Sequence, residues 1–219
     1  MDRTNLEKYF SAERVIKYFN AYPGNNSKAI YLYQANILLS EALYTPLSIL
    51  EVALRNKINA ELYRKYGRID WYADWYKDKV MHEAWKDVNQ AINQLHRDDK
   101  PIYPDKVVAA LMFGFWTSLF NDQYDRELWK NLRFVFSNMP HAIRQRRNVS
   151  KPLNEIRRYL RNRIYHNEPV IFNLMHLQNH YNSTIQLLDW MGSDLKAYNN
   201  TLDKFPVVLN EVMINLSSL

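Results

Sequence analysis

Apolar residues recur along most of this chain at the three- and four-residue spacing of an α-helix, and two-residue alternation typical of strands is absent outside one candidate turn region. We therefore predict an all-α fold. The predicted helices and amphipathic segments, in chain order, are 12–19, 27–43, 47–66, 83–97, 107–120, 124–136, 151–166 and 172–191, with a short apolar helix after Pro206.

Several helix ends are predicted from local signals. Ser11 is suited to cap the first helix, and Thr45 with Pro46 resembles a cap followed by a first-turn proline, which would divide 27–43 from 47–66. Gly67 lies where a glycine commonly follows a helix. Pro169 disfavours helical geometry just before it, so the helix of 151–166 should end close to His166.

The length and composition narrow the class of protein. A chain of 219 residues is expected to form a single domain, 1–219, with a substantial core. It has no cysteine, so disulfides, thiolate chemistry and cysteine-bound zinc are excluded. The first residues lack the apolar stretch of a signal peptide, and the strongly apolar 107–120 stretch is too short to span a bilayer. We expect a cytoplasmic protein without a membrane partner.

Positive charge is concentrated in one block of the sequence. The net charge is +6, and between positions 144 and 163 a single acid, Glu155, stands against many bases. The basic residues are Arg144, Arg146, Arg147, Lys151, Arg157, Arg158, Arg161 and Arg163. Clustered charge of this kind favours a polyanion, with RNA or DNA as the leading candidates, and the alternative is a solvated face without a ligand.

The segment 151–171, which overlaps this block, is the main candidate site. Leu153, Ile156, Leu160 and Ile164 should form its buried face. The opposite face carries Arg157, Arg158, Arg161, Asn162 and Tyr165. Arg161 and His166 are five positions apart, roughly 140° around an ideal helix, so we expect them to converge only if the helix turns just after Asn162.

Other chemistry has weaker support in the sequence. His176 and His180 have a chelating spacing, but the glutamate of a metalloprotease motif is missing, so surface or packing roles are favoured over metal binding. The aromatic-rich stretch 69–85 is typical of core or lid rather than base stacking. No glycine-rich phosphate loop or serine nucleophile motif is present. We predict no metal and no cofactor.

Three blocks carry a resemblance to a known family: LSILEVALRNKI (47–58), FGFWTSLF (113–120) and LRNRIYHNEPV (160–170). Together they resemble the Abi-like family, bacterial abortive-infection proteins of the AbiD and AbiF types within the HEPN superfamily. Similarity extends in order along the chain through SAERVIKYFNAY, YQANILLSEAL and LDWM. Family sequences often read RNRIAHHEP, where this chain has Tyr165 and Asn167 around a single histidine.

The resemblance implies a HEPN-type helical bundle with additional helices that forms a homodimer. It also implies an R-N-x-x-x-H motif, here Arg161, Asn162 and His166, facing its twin across the dimer interface. Many such proteins are toxins or antiphage effectors that cleave RNA without a metal.

On this hypothesis, His166 would move a proton at the ribose 2′-hydroxyl or the leaving 5′-oxygen, and Arg161 would bind the phosphate. Asn162 and Tyr165 would orient the phosphate. The supporting residues are Glu51, Arg55, Asn56, Tyr165 and Glu168, of which Glu51 and Arg55, paired along one helical turn, would hold Arg161 or the opposing protomer. The remaining bases of the block, Arg144, Arg146, Arg147, Lys151, Arg157, Arg158 and Arg163, would bind RNA.

Two alternatives remain open at the level of sequence. The basic block can instead hold a structured RNA, such as a small antitoxin or guide-like RNA, without cutting it. Alternatively, Glu51, Arg55, Arg161 and His166 form an internal polar network that only fixes helix packing and the dimer.

Overall fold

The structure, a computed structural model, describes residues 1–219 and contains helices and helical turns but no strand. The all-α prediction is confirmed. The α-helices are α1 (Arg3–Phe10), α2 (Ala12–Ala21), α3 (Asn26–Tyr66), α4 (His82–Arg97), α5 (Pro104–Ala110), α6 (Phe113–Ser118), α7 (Lys130–Leu132), α8 (Arg146–Glu155), α9 (Asn162–Tyr165), α10 (Leu174–Met191), α11 (Ser193–Leu202) and α12 (Phe205–Ser218). Short 3-10 turns cover Trp75–Lys77, Asp122–Tyr124, Arg133–Phe136 and His141–Ile143, and π-helical turns cover Asp125–Trp129 and Ile156–Arg161.

The 41-residue helix α3 is the element on which most others pack. It contacts α2, α6, α7, α10, α11 and α12. Leu39, Leu50, Leu54 and Ile58 on its inner side are completely buried in one hydrophobic cluster of 51 buried residues. A helix enclosed on several sides by other helices can be apolar along most of its length, as this sequence is.

The predicted division at Thr45 and Pro46 is wrong, because α3 continues through both residues. Proline at this point leaves the Ala42 carbonyl without its usual donor four residues later. Leu43, Pro46 and Leu47 are nevertheless buried, so tertiary packing on both sides holds the helix together. A threonine followed by a proline has the same local sequence whether a helix begins there or continues through it, so the sequence alone does not distinguish the two cases.

The predicted helix over 107–120 is also wrong in its length. The chain leaves helical geometry at Leu111 and Met112, whose ψ angles are 129° and 162°, and this separates α5 from α6. Trp116 is fully buried, and its indole N–H donates to the Leu111 carbonyl at 3.2 Å, which satisfies a group that the break leaves free. Most of the stretch is buried, but it is divided into two short helices.

The glycine predicted to follow a helix is confirmed, but one predicted cap is not. Gly67 ends α3 with φ 70°, and Gly24 lies in the turn after α2 with φ 80°. Ser11 precedes α2 as predicted, but its side chain makes no capping hydrogen bond and its φ is 67°. Helix α1 was not predicted, and Asp2 caps it by accepting from the Asn5 amide.

The aromatic-rich stretch after Gly67 belongs to the core. Trp71, Tyr72 and Trp75 are buried, and the Trp71 ring lies 4.9 Å from that of Trp75 and 6.2 Å from that of Trp116. Core packing, the favoured interpretation, is confirmed for these residues.

Helix α3 also has the length and composition of a membrane span, since one 18-residue window has a mean hydropathy of 1.5 and at most two charged residues. Of that window, 39% is buried inside the molecule. The core helix of a soluble protein meets the same criterion, so this is weak evidence for a membrane.

The segments α8, the Ile156–Arg161 turn and α9 follow one another without interruption, and we call residues 146–165 the basic helix. Val149, Leu153, Ile156 and Leu160 are buried along it, against α6 and α10. Ile164 is half-buried. The predicted buried face is thus confirmed, and the helix ends at Tyr165 as expected.

Candidate functional site

The basic helix meets α3 through an ion pair. Arg161 Nε donates to Glu51 Oε2 at 3.4 Å, and the two side chains are 19% and 26% exposed. Partial burial weakens solvent screening of this pair, and it fixes the direction of the Arg161 side chain. The predicted contact between Glu51 and Arg161 is therefore present within one chain.

Tyr165 covers the other side of Arg161. The Arg161 guanidinium carbon lies 4.2 Å from the centre of the Tyr165 ring, and Tyr165 stacks on Tyr44 with ring centres 6.0 Å apart. Burial, the Glu51 charge and Tyr44 raise the pKa of Tyr165, while Arg161 opposes the shift. Tyr165 is therefore a neutral phenol at physiological pH, able to donate a hydrogen bond.

His166 is the capping residue that follows the basic helix. Its amide donates to the Asn162 carbonyl at 3.0 Å, but its imidazole is exposed and makes no hydrogen bond within the chain. Asn162 is also exposed, and its side-chain amide has no partner within the chain. The helix does not turn just after Asn162 but continues to Tyr165, so the predicted condition for Arg161 and His166 to converge is not met. No hydrogen bond joins the two side chains within one chain.

The helix end that carries His166 is held by a specific turn. Asn167 has φ 53°, its amide donates to the Ile164 carbonyl at 3.1 Å, and the Glu168 amide donates to the Arg163 carbonyl at 2.7 Å. This pair of bonds closes the last helical turn, and asparagine is among the few residues that tolerate the left-handed position. Arg14 of α2 adds a bond from Nη1 to the Asn167 carbonyl at 3.1 Å.

The other supporting residues are placed differently from the prediction. Arg55 Nε donates to the Asn56 side chain at 3.3 Å and makes no ion pair with Glu51. The predicted pairing of Glu51 with Arg55 along one turn is wrong, because the Glu51 carboxylate pairs with Arg161 of the neighbouring helix instead. Glu168 is exposed, and its carboxylate contacts no cation.

Several of the arginines predicted to bind RNA instead donate hydrogen bonds to other groups of the same chain. Arg144 donates to the carbonyls of Met139 at 3.0 Å and Ser137 at 2.7 Å. Arg163 donates to the Pro169 carbonyl at 3.0 Å. Arg157 is half-buried and lies 3.4 Å from the Asn154 side-chain oxygen. These contacts hold loops and helix ends together.

Arg146 is largely buried and makes several contacts with other protein groups. Its side chain is 16% exposed, and it donates to the Phe120 carbonyl at 2.6 Å and to the carboxylate of Asp122, with Asp125 at 3.4 Å. A guanidinium with this many internal partners ties the start of the basic helix to the segment after α6, which leaves little of it for an RNA.

Three bases of the block remain exposed and have no carboxylate partner: Arg147, Lys151 and Arg158. They are four and seven residues apart, spacings that put side chains on the same side of a helix. We call these three residues the cationic stripe. Of the predicted RNA-binding set, they are the best placed to meet phosphates.

His176 and His180 lie in contact with each other on α10. Their Nε2 atoms are 3.1 Å apart, and the His180 ring stacks on Tyr159 with centres 5.4 Å apart. Burial and the nearby His176 lower the pKa of His180. No group of three or more potential metal ligands occurs in the chain.

Tyr44 and Arg14 contact Tyr165 and the helix end respectively, and neither was predicted. Each does so across a long separation in sequence, so no local pattern marked either one. Comparisons of the chain with models of known protein families, with curated proteins and with solved structures find no match. Membership of the Abi-like family therefore stays a prediction.

Proposed function

We propose that this chain is a toxin-type, metal-independent endoribonuclease of the abortive-infection kind with a HEPN-type bundle, acting in antiphage defence. One observation carries the proposal. An unpartnered, exposed imidazole, that of His166, lies at the fixed end of a basic helix whose last turns also present Arg161 and Asn162.

Arg161 is suited to hold a phosphodiester. A guanidinium has five N–H donors, and the Glu51 contact uses the one at Nε. The donors on the two terminal nitrogens have no partner within the chain and can bind two phosphate oxygens. Since Glu51 and Tyr165 restrict the side chain, little conformational entropy would be lost when the phosphate binds.

RNA supplies its own nucleophile, the ribose 2′-hydroxyl. His166 would accept the 2′-hydroxyl proton as the 2′-oxygen attacks phosphorus, and the bond from phosphorus to the 5′-oxygen would break. The departing 5′-oxygen takes a proton from an imidazolium. Arg161 and the phenol of Tyr165 would stabilise charge on the phosphoryl oxygens, and Asn162 would orient them. The products are a 2′,3′-cyclic phosphate and a 5′-hydroxyl.

One imidazole cannot accept and donate the two protons at the same moment, so the proposal includes a homodimer that brings a second His166 to the site. The exposed apolar residues along α3 support an interface there. Ile37, Tyr44 and Val52 are 50%, 52% and 45% exposed, and Glu51 lies among them.

A non-catalytic RNA-binding protein is the second candidate. The cationic stripe favours it, because three unpaired bases on one side of a helix provide sequence-independent contacts to phosphates whatever His166 does. On that proposal the partner is a small structured RNA, held and not cut.

The proposal is tested by incubating the purified chain with total cellular RNA in EDTA and mapping the termini of the products. We expect fragments with cyclic-phosphate and 5′-hydroxyl ends. Intact RNA that stays bound to the protein would support the binding protein instead, and intact RNA without binding would contradict both.

A further inference from the structure

A groove with a volume of about 910 Å³ opens beside the proposed site, between α2, α3, the start of α12 and the end of the basic helix. Ile164 and Asn167 form its edge next to His166. Its size falls in the range of pockets that bind small organic molecules. Ile37 and Tyr44, two of its lining residues, also belong to the proposed dimer surface, but the proposed cleavage chemistry does not use the groove.

The walls of the groove are aromatic. Phe10 is 39% exposed and its ring centre lies 5.5 Å from that of Tyr33, which in turn lies 5.1 Å from that of Tyr18. Tyr44, 52% exposed, lines the end of the groove nearest Tyr165. Aromatic surface therefore continues from the groove to the ring on which Arg161 lies.

Polar groups without protein partners line the same groove. Tyr18 and Asn36 are 2% and 6% exposed, yet neither the Tyr18 hydroxyl nor the Asn36 side-chain nitrogen makes a hydrogen bond within the chain. The Asn36 oxygen accepts from the Val170 amide at 2.7 Å, which fixes the orientation of the amide group. Burial raises the pKa of Tyr18 and of Tyr33, so both hydroxyls stay protonated and can donate.

The charges at the groove suit an anionic ligand with an aromatic body. Arg14 uses one N–H donor for the Asn167 carbonyl, and the rest of its guanidinium has no partner within the chain. Lys204 is exposed and makes no ion pair, while Glu41 is the single carboxylate in the lining. Arg14 thus joins the groove directly to the residue after His166.

We infer that this groove binds an unpaired nucleobase of the RNA whose phosphate lies at Arg161 and His166. The inference rests on the proposed function and specifies its substrate as single-stranded RNA. The aromatic rings would stack on the base, the fixed donors of Tyr18, Tyr33 and Asn36 would bind its edge, and Arg14 and Lys204 would face the neighbouring phosphates.

The test uses a short single-stranded RNA that is 2′-O-methylated throughout, so that it binds but cannot be cut, with one photoreactive 4-thiouridine. Phe10→Ala removes one stacking face. Tyr9→Ala is the matched control, because Tyr9 is the adjacent aromatic residue, 65% exposed and outside the groove lining. We expect cross-links to peptides that line the groove in the parent. Because Phe10→Ala loses a stacking contact with one base, its affinity for the oligonucleotide should be roughly 5- to 150-fold lower than that of the parent. The affinity of Tyr9→Ala should equal that of the parent.

Equal affinities for the two variants, or cross-links confined to other surfaces, would overturn the inference. If the parent still produces cyclic-phosphate ends in that case, the proposed function stands without it, whereas a parent that neither binds nor cuts RNA contradicts both. A nucleoside monophosphate that competes as well as the oligonucleotide would make the groove a mononucleotide site and overturn the strand proposal. Sedimentation showing that Phe10→Ala separates a dimer would assign the groove to a second copy and overturn it as well.

Discussion

Arg161 and Glu51 lie on different helices, 110 positions apart in sequence, and are joined by a contact of 3.4 Å between Arg161 Nε and Glu51 Oε2. The contact leaves the terminal nitrogens of the guanidinium without a protein partner. In Arg146, which acts as a structural arginine, both terminal nitrogens donate to protein groups, the Phe120 carbonyl and the Asp122 carboxylate. The Arg161 side chain is therefore fixed in position while its terminal N–H groups stay free, an arrangement suited to binding a phosphate.

Neutral substitutions at Glu51 and Arg161 distinguish the contribution of the ion pair to stability from the role of Arg161 in RNA binding and cleavage. Glu51→Gln and Arg161→Gln should each destabilise the protein, and a double-mutant cycle should give a coupling free energy of about 0.5–1 kcal/mol, measured by denaturant unfolding. Arg161→Gln should also lose RNA cleavage and weaken RNA binding, whereas Glu51→Gln should keep most of its RNA affinity. Equal RNA affinity and rate in Arg161→Gln and the parent would reduce the pair to helix packing.

The cationic stripe should contribute affinity that depends on salt. Replacing Arg147, Lys151 and Arg158 with glutamine should weaken RNA binding and reduce the slope of log affinity against log salt by about 2, since each phosphate contact of a single strand contributes roughly 0.7. A control with Lys17, Lys79 and Lys106 replaced by glutamine makes the same change in net charge at exposed positions elsewhere. Matching slopes in the two triple variants would mean that the stripe has no special role.

Adjacent arginines of the basic helix should behave in opposite ways. Arg146→Gln removes a 16% exposed guanidinium and leaves the Phe120 carbonyl without its donor, so we expect a loss of about 1–3 kcal/mol in the free energy of unfolding. Arg147→Gln changes an exposed side chain with no ion-pair partner and should stay within about 0.5 kcal/mol. Thermal or urea unfolding of both variants measures this, and a stable Arg146→Gln protein would show that the internal contacts contribute little.

The histidine pair on α10 should make stability depend on pH. The pKa of His180 is lower in the folded protein than its ordinary value near 6.5, because the residue is buried and close to His176. The unfolded chain therefore binds a proton first as the pH falls below about 6.5, and the stability present above that pH is progressively lost.

His180→Gln should flatten this dependence below about pH 6.5, when the free energy of unfolding is measured across that range. His141→Gln, a change at an exposed histidine outside the pair, is the control and should keep the slope of the parent. A free energy of unfolding of the parent that rises as the pH falls through this range would contradict the prediction.

Much of the fold follows from local patterns in the sequence. Helical periodicity identifies the buried face of the basic helix, and Pro169 marks the helix end close to His166. A helix end was predicted at Pro46, but buried packing on both sides keeps α3 helical there. No helix end was predicted at Leu111, where the structure breaks the helix.

The site was only partly predictable. Arg161, Glu51 and Tyr165 do meet, but the basic block divides into internal and exposed cations for reasons that no spacing reveals. Arg146 binds a carbonyl 26 positions away, and Arg144 binds loop carbonyls, so their partners are set by tertiary structure. The groove lies between helices from both ends of the chain, which is why no stretch of sequence indicates it.

The most direct test compares single-turnover RNA cleavage in EDTA by the parent, His166→Ala and His141→Ala, all three checked for fold by circular dichroism and for RNA affinity. If His166 moves the proton, His166→Ala should cut about 10²–10⁴-fold more slowly with nearly unchanged fold and affinity, while His141→Ala cuts like the parent. Cleavage by His166→Ala at the rate of the parent would contradict the account.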